Sequence, residues 1–453
     1  MPDLRSKLLL ADAFHAPGCG RIETLTQALF AIDADGVIAA LYRREAPGYA
    51  EALAAARASS VFVEWPRRQF LLPGFVDLHV HAPQYPQAGS GLDEPLEVWL
   101  NKYTFPLEAR YADLDFAEAA YAALVGDLLA NGTTTALYFA TIHQQATRAL
   151  ADICLQRGQR ALIGRVAMDN ARFCPQAYRD ASAQAAVEET RAFIDYVRAH
   201  PGNREGRVTP VITPRFLPAC TDAALAGLGA LALNCDCPVQ THASESDWEH
   251  GYALARHGVT DAASLDRFGL LGRRTVLAHG VHLTDADIDL VAARGASVAH
   301  CPASNAYFAD AVFPLRRALA KGLHVGLGSD VAGGPSALMF DACRTAVLAS
   351  RLLESGVDAR RPAATRGGEA GARIDFREAF HLATAGGGAA LDLPIGVFAP
   401  GYRFDAIRLD AEAPAGGVRL WDFDAAEQIL QKIVYGATRA NIAAVWVDGR
   451  AVA

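Results

Sequence analysis

No run of about 18 consecutive apolar residues occurs along this chain, which excludes a predicted transmembrane helix. Nor is there a basic patch. The 42 lysines and arginines are outnumbered by 50 aspartates and glutamates, and a net charge of −8 spread along the chain argues against nucleic acid or an anionic membrane surface as a partner. A small molecule is the expected partner. The eight cysteines, Cys19, Cys154, Cys174, Cys220, Cys235, Cys237, Cys301 and Cys343, include one CxC but no CxxC, so neither a thiolate zinc site nor a redox pair is expected. Residues 1–10 lack the longer apolar core of a secretory leader, and reduced thiols agree with a cytoplasmic location. There is no fixed-period repeat.

What is present is enough apolar material for a large core: 453 residues, 51% of them hydrophobic. Short apolar and β-branched runs begin near Phe75, Thr133, Ala161, Val208, Val239, Thr275, Ser297 and His324, separated by stretches long enough for helices. Helical periodicity is clear at residues 115–131, 183–200 and 284–294, the last opened by Thr284 with Asp287 three residues on. Eight strands alternating with helices give the rhythm of an α/β fold, a (β/α)8 TIM-type barrel over residues 73–395. The flanks, 1–72 and 396–453, carry strand-like pieces broken by Gly and Pro and are expected to pair into one small β-sandwich domain. Residues 355–373, rich in Gly, Ala and Arg, predict a mobile surface loop. The run Gly227-Leu228-Gly229-Ala230 precedes a strand instead of following one, so it reads as helix and not as a dinucleotide turn.

The strongest local pattern is Pro73-Gly74-Phe75-Val76-Asp77-Leu78-His79-Val80-His81, a strand ending in HxH. Alternate side chains of a strand share a face, so His79 and His81 can meet one ion. Two histidines on a half-buried strand are also ordinary core residues. The recurrence of ligand-type residues decides between these readings: His242, His279 and Asp330 each end a further apolar run, and in a barrel such ends converge on one mouth. Three imidazoles and a carboxylate are an N/O set that zinc accepts, with a position left for water. Asp330 suits a ligand that also takes a proton from that water, as general base. Glu245, three residues after His242, can reach the mouth from the following loop and carry a proton to substrate.

With these residues in hand, the chain resembles the amidohydrolase superfamily, in which HxH opens the first strand and single histidines and an aspartate end later ones. A narrower set of segments resembles the guanine deaminase family: Ala82-Pro83-Gln84-Tyr85, residues 96–106 (LEVWLNKYTFP), residues 138–143 (YFATIH), Thr213-Pro214-Arg215-Phe216 and residues 329–334 (SDVAGG). That resemblance implies one zinc per chain, held by His79, His81, His242 and Asp330, because two-metal relatives bridge their ions with a lysine on the fourth strand. The four lysines here, Lys7, Lys102, Lys321 and Lys432, all lie elsewhere. His279 is then expected to orient the activated water. The resemblance further implies a purine held by Gln84, Arg215 and Phe216, with His242 and Glu245 at its reacting edge, hydrolytic loss of ammonia from C2, and a homodimer. The residue types agree: an amide pairs with a ring N–H, a guanidinium with a 6-oxo group, and an aromatic ring stacks on the base.

The chain departs from the pattern at Ala303, where a polar residue is expected, at Ala306-Tyr307-Phe308-Ala309-Asp310, and over residues 355–373. Two alternatives stay open at this point. One is an amidohydrolase acting on a triazine, a pyrimidine or another purine; the other is a catalytically silent barrel serving as an assembly module. The unrelated deaminase fold with HxE and PCxxC motifs is excluded, since neither occurs.

Overall fold

The computed structural model describes residues 2–453. Its strands, in chain order, are β1 (Leu8–Gly18), β2 (Arg21–Ile32), β3 (Ile38–Tyr42), β4 (Phe62–Glu64), β5 (Gln69–Pro73), β6 (Phe75–His81), β7 (Thr133–Phe139), β8 (Arg160–Gly164), β9 (Val166–Ala167), β10 (Val208–Pro210), β11 (Thr213–Pro214), β12 (Val239–Ala243), β13 (Thr275–His279), β14 (Ser297–His300), β15 (His324–Leu327), β16 (Ala406–Asp410), β17 (Ile442–Val447) and β18 (Arg450–Ala451).

All eight strands expected from the apolar runs are present, as two four-stranded parallel sheets in the orders β10-β8-β7-β6 and β12-β13-β14-β15. Every residue of β6, β7, β8, β12 and β13 is buried. Helices cover such parallel strands, which explains why they read as unbroken apolar runs and not as alternating ones. Two seams join the sheets, the first through parallel pairing of Ile212 with Val239, the second through Val80 with Val331. Backbone bonds reinforce both: Gln240 N–H to the Ile212 carbonyl at 2.9 Å, and Asp330 N–H to that of His79 at 2.8 Å. The expected helices form at Leu114–Ala130, Ala183–Ala199 and Asp285–Ala293, and Thr284 with Asp287 makes a reciprocal capping box. Gly227 to Ala230 lie inside the helix Asp222–Cys235.

The two chain ends pair into one eight-stranded sheet in the order β18-β17-β16-β5-β1-β2-β3, with β4 beside β1. One of its middle strands, β5, is not among the strand-like runs of the sequence, nor is the helix Tyr49–Arg57 expected from it. β5 pairs antiparallel with β16 across more than 300 residues, from Ala406 opposite Pro73 to Asp410 opposite Gln69. One residue, Gly74, separates β5 from β6 and so carries the chain from one sheet to the other. A Cβ there would lie 2.1 Å from the Thr134 hydroxyl, which leaves room only for glycine.

A buried polar knot ties this terminal sheet to β8 and β10. Arg160 donates to Asp448 at 2.6 Å and to Asp405 at 3.3 Å, while Arg207 also reaches Asp448 at 3.2 Å. Asp448 has φ of 49°, a conformation asparagine tolerates. Asp448→Asn therefore removes charge without backbone strain and is expected to cost about 1.5–3 kcal/mol, the usual worth of hydrogen bonds to charged groups. Urea unfolding with an unchanged midpoint would rule out a stabilising role for the knot.

Between β6 and β7, residues 82–112 fold as a chain of short helical turns: Ala82–Gln87, Leu96–Trp99, Leu100–Thr104, Phe105–Ala109 and Arg110–Ala112. They lie at the carboxyl end of the parallel strands, against the site described next. Residues 355–373 form an exposed stretch with a single helical turn at Ala363–Thr365.

Candidate active site

β6, β12 and β13 deliver His79, His81, His242 and His279 to one point, and Asp330 arrives from the turn after β15. The Nε2 atoms of His81 and His242 are 2.9 Å apart, and Asp330 Oδ1 is 3.2 Å from His79 Nε2 and 3.6 Å from His81 Nε2. Two overlapping groups have all their ligand-type atoms within 4.8 Å: His79, His81 and Asp330, and His79, His242 and His279. Strand ends are bent to achieve this. Ser244, His279 and Asp330 have φ of 54°, 73° and 51°. Such left-handed residues cost about 1–3 kcal/mol each and persist where the surroundings over-determine them.

The electrostatics suit a cation. Burial, with repulsion from neighbouring imidazoles, holds His79, His81 and His242 well below the usual histidine range, and burial also lowers His279. All four are therefore neutral, the form that coordinates metal. His242 Nδ1–H donates to the Arg215 carbonyl at 2.5 Å and His279 Nδ1–H to Asn305 Oδ1 at 3.0 Å, which leaves both Nε2 lone pairs aimed inward. Both ring nitrogens of His79 and Nε2 of His279 are buried without a hydrogen-bond partner. Buried polar atoms are rarely left so, and a bound cation would partner those that face the cluster. The residues present fit a metal ion with N/O preference.

Glu245 stands beside this cluster, its Oε1 3.5 Å from His279 Nε2. Burial and the nearby Asp330 charge push its carboxyl up to about 8, against the opposing pull of Arg215. Burial also raises Asp330. Glu249, buried on the helix Asp247–His257, accepts the Glu245 backbone N–H at 2.8 Å and so anchors the turn that carries it.

A pocket opens from the cluster, lined by His81, Gln84, Arg215, Phe216, Glu245 and Asp330 together with Leu96, Trp99, Leu100 and Phe308. The sequence-predicted residues thus share one cavity, except His79 and His279, which lie behind its wall. Trp99 and Phe308 meet at 5.0 Å between ring centres and close one side. The unexpected segment at residues 306–310 supplies Phe308 to this wall, whereas Ala303 lines a separate cavity with Pro302 and Ser329.

Sequence reasoning missed Glu108. It is fully buried on Phe105–Ala109 and accepts from both Arg215 guanidinium nitrogens, at 2.6 and 3.0 Å, and from the Gln84 amide at 2.8 Å. The segment read from the sequence, residues 96–106, stops two residues short of it. Asn305, which holds His279, was likewise passed over inside the run His300-Cys301-Pro302-Ala303-Ser304-Asn305.

Parallel strands whose carboxyl ends gather histidines and an aspartate around a metal-sized gap define a metal-dependent hydrolase. A model of the amidohydrolase family matches residues 70–452, and the chain belongs to that family. Relatives to which it is similar include guanine deaminases. The chain is 34% identical to the guanine deaminase of Dictyostelium discoideum, with 98% of each chain covered, and 38% identical to that of Homo sapiens over 86% of this chain and 84% of the other. Among solved structures it superposes on guanine deaminase from C. acetobutylicum with bound guanine in the active site, at a TM-score of 0.86 and 28% identity, covering 98% of this chain and 99% of that one.

Metal loading is expected to stabilise the fold, because buried imidazoles and a buried carboxylate gain a partner. Zinc at a hundred times its dissociation constant should add about 2.7 kcal/mol. A chelator-treated sample whose melting temperature does not rise on zinc addition would count against the site.

Proposed function

We propose that this chain is a guanine deaminase, hydrolysing the exocyclic C2–N bond of guanine to give xanthine and ammonia. The observation that carries the reading is the meeting, in one pocket, of a metal-type cluster with Gln84 and Arg215, a pair suited to an oxo-purine. A single zinc ion held by His79, His81, His242 and Asp330 would lower the pKa of bound water toward neutrality and so supply a nucleophile.

The protein groups do the rest. Phe216 stacks on the base, Arg215 donates to the 6-oxo oxygen, and Gln84 accepts from the ring N–H beside it. Asp330 takes the proton released by the attacking water. Glu245, its carboxyl protonated near neutral pH, gives its proton to the ring nitrogen next to C2; on collapse it regains the proton of the new C2 hydroxyl, and the proton held by Asp330 goes to the departing amine, which leaves as ammonia. His279, its Nδ1–H tied to Asn305, orients the water through Nε2. The balance is one water consumed and one ammonia released.

The same reading takes the two parallel sheets, joined at both seams, as one closed (β/α)8 barrel over residues 73–395. It takes the terminal sheet of residues 1–72 and 396–453 as curled over its own core, in which Phe30, Trp65, Phe398 and Trp446 are buried. A cytoplasmic homodimer completes it; the exposed Leu348, Leu352, Trp421 and Phe423 offer apolar contact area. The test of function is ammonia release from a panel of guanine, adenine, cytosine and 2,6-diaminopurine. Guanine alone or foremost is the expected result, and guanine inert beside an active alternative overturns it.

A further inference from the structure

The residues that touch the purine are arranged by one that does not. Glu108 lies outside the pocket wall, fully buried, yet it is the shared partner of both Arg215 and Gln84. Its two oxygens accept from the two guanidinium nitrogens in a fork, the geometry of an ionised carboxylate. An ionised carboxylate only accepts. The end of Gln84 that meets it is therefore the NH2 group, and Gln84 Oε1, buried and without any protein partner, is the end left for the pocket. Gln84 and Arg215, 1% and 2% exposed, are packed in the wall, so the change open to Gln84 is a flip of its near-isosteric amide.

We infer that Glu108 is the specificity-positioning residue of this site. By holding the Gln84 amide in one of its two orientations and the Arg215 fork in one plane, it presents an acceptor next to a donor. That pair complements the N–H/C=O edge of a 6-oxopurine and opposes the unprotonated nitrogen and NH2 group of a 6-aminopurine. This inference rests on the guanine deaminase reading above. Without Glu108, Gln84 can flip to present its NH2 group, and the edge no longer discriminates.

The experiment compares kcat/KM for guanine with that for 2,6-diaminopurine, which carries the same reacting 2-amino group but the opposite hydrogen-bonding edge. In E108Q the guanine to diaminopurine ratio is expected to fall about tenfold or more, since pairing of buried polar groups is what rejects analogues strongly. The change should sit in KM more than in kcat, and E108D, which keeps a carboxylate, should recover part of the ratio. Q84L should also lower the ratio, and the E108Q/Q84L double variant should lose less than the product of the two single effects, because Glu108 acts in part through Gln84. If both substrates decline equally in E108Q, Glu108 is merely structural and the inference fails. Should E108Q not fold, Q84L decides: an unchanged ratio there overturns the proposal. A wild-type enzyme inert toward guanine overturns the functional reading and this inference with it, whereas an active wild type with an unaltered variant ratio sinks this inference alone.

Discussion

Glu245→Gln is expected to lower kcat about 10³-fold, in the middle of the range for removing a general acid–base group, while zinc content and purine affinity stay near wild type. Glutamine matches glutamate in shape and still reaches His279, but it has no proton to give. The carboxyl it replaces is buried and pushed up to about 8. A carboxyl with a raised value is protonated below it, so the donor form is present at neutral pH and disappears as pH rises through that value. The wild-type kcat is accordingly expected to fall on the alkaline side of about 8, and Glu245→Gln to lose that limb. Loss of zinc from the variant, or a variant that turns over normally, would remove Glu245 from the proton-transfer role.

Arg215→Ala is expected to act twice. It removes the donor to the 6-oxo group, raising KM for guanine, and it strands Glu108 as a fully buried carboxylate with one amide for company. Breaking a buried pair from one side typically costs about 3–5 kcal/mol. The two effects separate in the Arg215→Ala/Glu108→Ala double variant. There the stranded charge is gone, so thermal stability should return in part while guanine affinity remains lost. If the double variant is no more stable than Arg215→Ala, the ion pair is not what holds this wall together. Zinc content should be unchanged in both proteins, because neither residue is in the imidazole cluster.

The cluster of histidines with Asp330 was legible because its residues obey local rules. HxH at the end of a strand fixes two imidazoles on one face through the two-residue repeat of the backbone. His242 and His279 end runs buried on both sides, so the apolar stretches point at them in the linear chain. The helices at residues 114–130 and 183–199 announced themselves in the same way, through periodicity. Arg215, in contrast, read from sequence as a residue that holds the purine, and the buried ion pair it makes did not show there. Its partner was invisible. Glu108 sits in an ordinary-looking LEAR stretch, where an acidic residue usually faces solvent, and the contact that gives it meaning spans 107 residues.

The terminal sheet shows the same division. Its outer pieces at residues 25–32 and 443–451 carry recognisable β-branched and aromatic runs. β5 does not stand out, since a strand's identity in a sheet depends on what pairs with it, and a partner of β5 is β16, at the other end of the chain.

The sequence by itself therefore determined which residues could bind a metal and which strands would carry them, because side-chain alternation and burial on both faces are written in neighbouring residues. Only the tertiary structure decided which polar groups face the pocket and in what orientation. That choice is made by a buried carboxylate on the segment after β6 reaching an arginine after β11 and a glutamine after β6. No local rule relates those three, and the low-dielectric interior is what makes their pairing obligatory.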